Sequence, residues 1–155
     1  MKVIGIDPGA RNSGIALLED GVVKKFKTIT TKSGDWREAF QLVIAETKKL
    51  GEANLYVIES VSWFGARRGM YALNRLVGAL WVWCTGGEGY GEVLLVQPKD
   101  KVKITAKYKK GTKTEHERDA IALALVGFKE DEPKLVGKSN PKRQKNKNGG
   151  ATRWH

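Results

Sequence analysis

The chain has 155 residues, 41% of them hydrophobic, which suits one domain with a sizeable core. Its 28 Lys and Arg against 17 Asp and Glu leave a formal net charge of +11. That excess favours a polyanionic partner over a neutral one, beside the plainer reading of a basic, solvated surface. No stretch is long and apolar enough to span a bilayer, and the N-terminus lacks a signal-peptide layout. The single cysteine, Cys84, excludes an internal disulfide and suits a reducing cytosol.

In chain order, "KVIGID" reads as a buried strand ending in Asp7, and "SGIALLE" as a second strand after a loop with Pro8 and Gly9. Asp20-Gly21 marks a tight hairpin into a third strand, "VVKKFKTIT". Asp35 opens a helix with Glu38 three residues later, the spacing of a capping box. Trp36, Phe40, Val43, Ile44 and Thr47 recur along it at helical intervals. "NLYVIES" is a fourth strand and ends near Glu59.

A second helix spans Gly69 to Trp83, with Leu73, Leu76, Val77, Leu80, Trp81 and Cys84 as its apolar stripe. The stripe either packs on the sheet or joins two copies, and Cys84 on it reads as core. "EVLLVQ" is a fifth strand, stopped by Pro98, and a last helix from Glu115 carries Ile121, Leu125 and Phe128. The order βββαβαβα predicts an α/β fold: a five-stranded mixed sheet, three meandering strands then αβ units, with helices on its faces.

The charge is uneven. Residues 99–113 hold seven Lys and one Asp, and residues 129–155 hold eight Lys or Arg and three acids. Together they account for the whole excess. The second segment lacks apolar periodicity and is rich in Lys, Asn and Gly, so the chain divides into a folded domain over 1–128 and a basic, flexible tail over 129–155.

Two strands that read as buried end in an acid, Asp7 and Glu59. If those strands are parallel neighbours, both carboxylates emerge at one edge of the sheet, where ligand sites of open α/β sheets lie. His116 and Asp119, three apart in "HERDAIALAL", share a helical face just before an apolar run of small residues. Glu115 and Glu117 are expected to face solvent, favoured there by the helix dipole. Clustered carboxylates repel unless a cation joins them, and such hard ligands suit Mg²⁺ or Mn²⁺, with the imidazole tilting towards Mn²⁺. Two ions about 4 Å apart activate water on one side of a phosphodiester and stabilise the leaving oxygen on the other. Against this stands the reading of each acid as a helix cap or the partner of a Lys or Arg.

"GIDPGARNSGIALLE", "VIES" and "HERDAIALAL" resemble the RuvC-type Holliday-junction resolvases of the ribonuclease H-like superfamily. The motif D-P-G-x-x-x-x-G falls on Asp7, Pro8, Gly9 and Gly14, and the second-motif glutamate on Glu59. The later L…G-A pattern falls on Leu73, Gly78 and Ala79, and the closing acid-Ala on Asp119 and Ala120. His116 stands where members carry Asp or His. The resemblance implies a divalent-metal endonuclease acting as a homodimer on four-way DNA junctions, with paired nicks, Asp7 bridging two ions, and Glu59, Asp119 and His116 completing their shells. It also implies a cytoplasmic location, nucleoid-associated or, for a viral member, in the host cytoplasm.

The chain departs from the pattern in three places. Many members carry Phe three residues after the glutamate; here that position is Ser62, and Trp63 or Phe64 is the aromatic able to stack on bases at the crossover, or to pack against the sheet or a partner. Arg67 and Arg68 follow as phosphate contacts. The extra helix common before the last one is replaced by the run carrying Lys101, Lys103, Lys107, Lys109, Lys110 and Lys113, expected to face DNA. The basic tail is not part of the shared pattern.

The alternatives are a related nuclease cutting flapped or branched DNA or RNA–DNA hybrids, and a non-catalytic DNA-binding module. A sugar kinase or ATPase, whose first strand reads similarly, needs a second domain for which 155 residues leave no room.

Overall fold

In the computed structural model, which describes residues 1–61, 68–86, 91–98, 112–131 and 152–153, three strands meander before the first helix. β1 (Lys2–Asp7) is buried from Val3 onward, and β2 (Asn12–Glu19) is buried over six consecutive residues. Both are continuous apolar runs, as expected of strands covered on two faces. β3 (Val22–Thr30) is largely exposed and carries Lys24, Lys25 and Lys27, residues suited to an open edge. Asp20 (φ 50°) and Gly21 (φ 76°) make the β2–β3 turn, the pair of positive φ values that a two-residue hairpin loop requires.

α1 (Trp36–Lys48) begins at Asp35, whose carboxylate accepts from the Arg37 N–H at 2.7 Å. The expected capping box is displaced by one turn of chain. Glu38 reaches past the cap to the N–H groups of Lys32 (3.2 Å) and Ser33 (3.1 Å), while the Asp35 N–H goes to the Ser33 hydroxyl at 3.0 Å.

β4 (Leu55–Glu59) lies parallel to β1, and β5 (Glu92–Val96), reached through α2 (Arg68–Gly86), lies parallel to β4. α3 (Glu115–Asp131) runs three residues past the expected domain boundary. The five expected strands are joined by a sixth, β6 (Thr152–Arg153), antiparallel to β5 and drawn from the segment expected to be a flexible tail. The order is β3-β2-β1-β4-β5-β6. The remainder of the tail lies outside the described residues.

Helices cover both faces. Ile4, Ile6, Ile15 and Ile58 pack with Val43 of α1 and Leu76, Leu80 and Cys84 of α2; on the other face Val3, Leu18, Val57 and Val96 pack with Leu123 and Ala124 of α3. Each fully buried Ile or Leu contributes about 1.5–3 kcal/mol. Burial pushes the Cys84 thiol up to about 12, in keeping with a packing residue. α3 lies close to the sheet because its contacts are small. A Cβ on Gly5 would fall 2.1 Å from the Ala120 carbonyl oxygen, and one on Gly127 would fall 2.3 Å from a Val57 methyl. Among the described residues no helix is long and apolar enough to cross a membrane.

Candidate active site

The register of the sheet assembles the site. Ile6 pairs with Ile58 in parallel, so the next residues along the two strands, Asp7 and Glu59, stand side by side at the carboxyl edge, as the sequence predicted. On the other side Asp7 pairs with Gly14, and Gly14 with Thr28. Directly opposed residues share a face, so Asp7, Gly14 and Thr28 form one row across three strands, beneath the first turn of α3.

That turn docks along the row at three points. The Thr28 and Thr114 hydroxyls are hydrogen-bonded to each other. Gly14 leaves room for the backbone of His116: a Cβ there would lie 2.0 Å from the His116 carbonyl oxygen. Finally the His116 ring meets the Asp7 carboxylate, Nδ1 to Oδ2, at 2.8 Å. Asp7 is only 5% exposed, and this bond offsets part of the cost of holding a carboxylate there.

Glu117 differs from expectation. It is buried, not solvent-facing, because Thr114 and Glu117 form a capping box. The Glu117 N–H donates to Thr114 Oγ1 at 3.1 Å, and the Glu117 carboxylate accepts from the Lys113 N–H at 2.7 Å and the Thr114 N–H at 3.4 Å. The signal was in the sequence as T-x-x-E before an apolar run. The cap fixes where α3 begins, and hence that His116 sits over Asp7.

The His116 imidazole is held above its usual pKa. Its hydrogen bond to Asp7 is the main cause, outweighing burial, and the charges of Asp7, Glu115 and Asp119 add to it. Asp119, one turn along α3 and half-buried, is therefore within electrostatic reach of the pair. The loop after Asp7 is closed by Ser13, whose hydroxyl donates to the Gly9 carbonyl at 2.8 Å and accepts from the Gly9 N–H at 3.1 Å.

The fold thus brings Asp7, Glu59, His116 and Asp119 to one edge of the sheet. By chemistry the set fits a hard divalent cation: three carboxylates and one imidazole. Among the described residues, however, no three of His, Cys, Asp and Glu are gathered closely enough to hold an ion. Trp63, Phe64 and Arg67, together with Lys101, Lys103, Lys107, Lys109 and Lys110, lie outside the described residues. Arg68 opens α2, and Lys113 is exposed just before α3.

No protein-family model matches the chain, and no curated protein matches it in sequence. Solved structures do match in shape. Thermus thermophilus RuvC in complex with Holliday junction substrate superposes with a TM-score of 0.65 at 20% identity, covering 83% of this chain and 94% of that one. A second Thermus thermophilus RuvC structure gives 0.63 at 19% identity over the same shares. The fowlpox virus Holliday junction resolvase gives 0.57 at 11% identity, covering 84% of this chain and 99% of that one. The fold that the resemblance implied is therefore met: the chain has the ribonuclease H-like fold of the RuvC-type resolvases.

Proposed function

We propose that the chain is a divalent-metal endonuclease that resolves four-way DNA junctions by paired symmetric nicks, acting as a homodimer. The observation that carries this reading is the meeting of Asp7 and His116 at 2.8 Å, beside Glu59, on the carboxyl edge of a RuvC-type fold.

On this reading Asp7, Glu59, His116 and Asp119 would hold two Mg²⁺ or Mn²⁺ ions, which would supply an acidified water and charge compensation at the leaving oxygen. The chain's own contribution is placement. β1 and β4 fix Asp7 and Glu59 one strand spacing apart, about 4.8 Å, and the Thr114 cap and Gly14 gap set His116 above Asp7. The hydrogen bond between His116 Nδ1 and Asp7 Oδ2 holds the two side chains together at the edge where they would take part in holding the ions. In the reaction the water gives up a proton as its oxygen bonds to phosphorus, the P–O3′ bond breaks, and the 3′ oxygen takes up a proton. The products are a 5′-phosphate and a 3′-hydroxyl.

The net charge of +11 supports a nucleic-acid partner. Trp63 or Phe64 is assigned to stacking at the crossover, Arg67 and Arg68 to nearby phosphates, and Lys101, Lys103, Lys107, Lys109, Lys110 and Lys113 to the backbone. A homodimer is supported by the outer face of α2, where Tyr71 is 64% and Val82 59% exposed beside Trp81 and the open position at Gly78.

The test is incubation of the full chain with a junction, a duplex, a flap and an RNA–DNA hybrid, with Mg²⁺, with Mn²⁺ and with chelator. Cleavage of the junction that needs the ion and is lost in Asp7→Asn is expected. Normal cleavage by Asp7→Asn would remove the metal assignment, and cleavage of the hybrid alone would replace the substrate.

A further inference from the structure

A second basic feature lies on the sheet face opposite Asp7. A groove of about 430 Å³ opens between β3 and α1, with Lys24, Lys25 and Lys27 on one wall, Glu46 and Lys49 on the other, and Ile15 at its floor. Lys27 is directly opposite Ile15, which packs in the α1–α2 core, whereas the Asp7, Gly14 and Thr28 row lies under α3.

An irregularity in β3 concentrates the charge. Leu17 pairs with Lys25 and Leu18 with Val23, so Lys24 is an extra residue in a β-bulge. Bulges re-aim side chains, and here Lys24, Lys25, Phe26 and Lys27 all line the groove. Lys25 and Lys27, two residues apart, are spaced by about 6.8 Å along the strand.

Glu46 is the one acid among the lining residues, and it is already engaged: Lys27 Nζ lies 2.9 Å from Oε2 and Lys49 Nζ 2.8 Å from Oε1. Those two lysines hold its carboxyl below the usual range. Lys24 and Lys25 form no ion pair among the described residues, so the groove carries a net positive charge with two ammonium groups facing solvent.

Lysines on an edge strand also guard against edge-to-edge pairing. That role needs charge along the open edge. It does not call for a hollow with a fourth lysine contributed from the end of α1 across it.

We propose that this groove is a second contact for nucleic-acid backbone, with Lys24 and Lys25 binding phosphate oxygens of a duplex DNA arm and Lys27 and Lys49 fixing the wall behind them. The inference rests on the nucleic-acid reading above. The Ile6, Ile15 and Lys27 row is the one beside Asp7, and Lys27 is two strand spacings, about 10 Å, from β1. That is well under one turn of duplex, about 34 Å. An arm running along the β3 edge is thus touched at the groove while its end lies at the catalytic edge.

The experiment compares wild type with Lys24→Gln/Lys25→Gln in the full chain, after circular dichroism and sedimentation confirm fold and assembly. Binding to a labelled four-way junction and to a plain duplex is followed by anisotropy from 50 to 200 mM salt. The variant is expected to bind both about tenfold more weakly at the low-salt end. Its slope of log affinity against log salt is expected to be shallower by about 1.8, the release expected for two phosphate contacts. Unchanged affinity and slope overturn the proposal. A variant that self-associates with an unchanged slope assigns the lysines to guarding the edge, and also overturns it. Wild-type binding to heparin but to neither DNA overturns the groove as a nucleic-acid site. Wild type that binds DNA and cuts no junction overturns the catalytic reading alone, and the slope then decides the groove by itself.

Discussion

Gly14 faces Asp7 across the β1–β2 ladder, and its missing side chain is what lets His116 reach that carboxylate. The space is occupied by the backbone of α3, with the His116 carbonyl oxygen 2.0 Å from where a Cβ would be. A glycine of the first motif and a histidine of the last are thus two parts of one contact.

Gly14→Ala forces the start of α3 off the sheet. Unfolding in urea is expected to show a loss of about 2–3 kcal/mol, the upper part of the range for overpacking, with loss of cleavage. Gly78→Ala is the control of opposite sign: nothing lies within 4 Å of its added methyl, and a helix-interior alanine gains about 0.5–1 kcal/mol over glycine. Equal effects from the two would show that Gly14 is not a close-approach position.

Glu117→Ala opens the capping box and leaves the Lys113 and Thr114 N–H groups short of an acceptor. A loss of about 1–2 kcal/mol is expected by thermal or urea unfolding, with a larger proportional loss of turnover because His116 loses its register on Asp7. Glu117→Gln retains an amide oxygen to accept those bonds and is expected to recover most of both. An exposed, solvated Glu117 would instead give changes near zero in either variant.

The Asp7–His116 pair also sets a pH dependence for the metal-free protein. His116 has a folded pKa raised above 6.5, chiefly by the hydrogen bond to Asp7, so the folded state holds its proton more tightly than the unfolded chain does. The stabilisation is fully present below the unfolded value and is lost as pH rises through the folded one. Wild type is expected to lose stability above pH 6.5, and Asp7→Asn to lose that slope. An NMR titration of the His116 ring is the direct check: a midpoint at or below 6.5 would contradict the contact.

Much of this was legible in the sequence. The buried runs ending at Asp7 and Glu59 gave the parallel pair its carboxyl edge, and Asp20-Gly21 gave the hairpin with both φ values positive. The interval of three from His116 to Asp119 placed both on one helical face. What escaped were effects of register and tertiary reach. Glu38 bypasses its cap because Ser33 and Lys32 offer N–H groups one turn earlier, and Glu117 is buried because Thr114 is itself docked on Thr28, 86 residues away. The pairing of β6 on β5 left no trace in composition, since two residues in a Lys- and Asn-rich segment carry no periodicity. The bulge at Lys24 was hidden because "VVKKFKTIT" reads as unbroken strand, and only the shift between Leu17 and Leu18 reveals the extra residue.

The most direct measurement is strand-resolved mapping of cleavage on a synthetic four-way junction with each of its four strands labelled in turn, in Mg²⁺ or Mn²⁺. Junction resolution at Asp7 predicts nicks at symmetric positions on two opposed strands at the crossover, sealed by ligase without further processing and absent with Asp7→Asn. Cuts scattered along the duplex arms, or an unchanged pattern in Asp7→Asn, would contradict it.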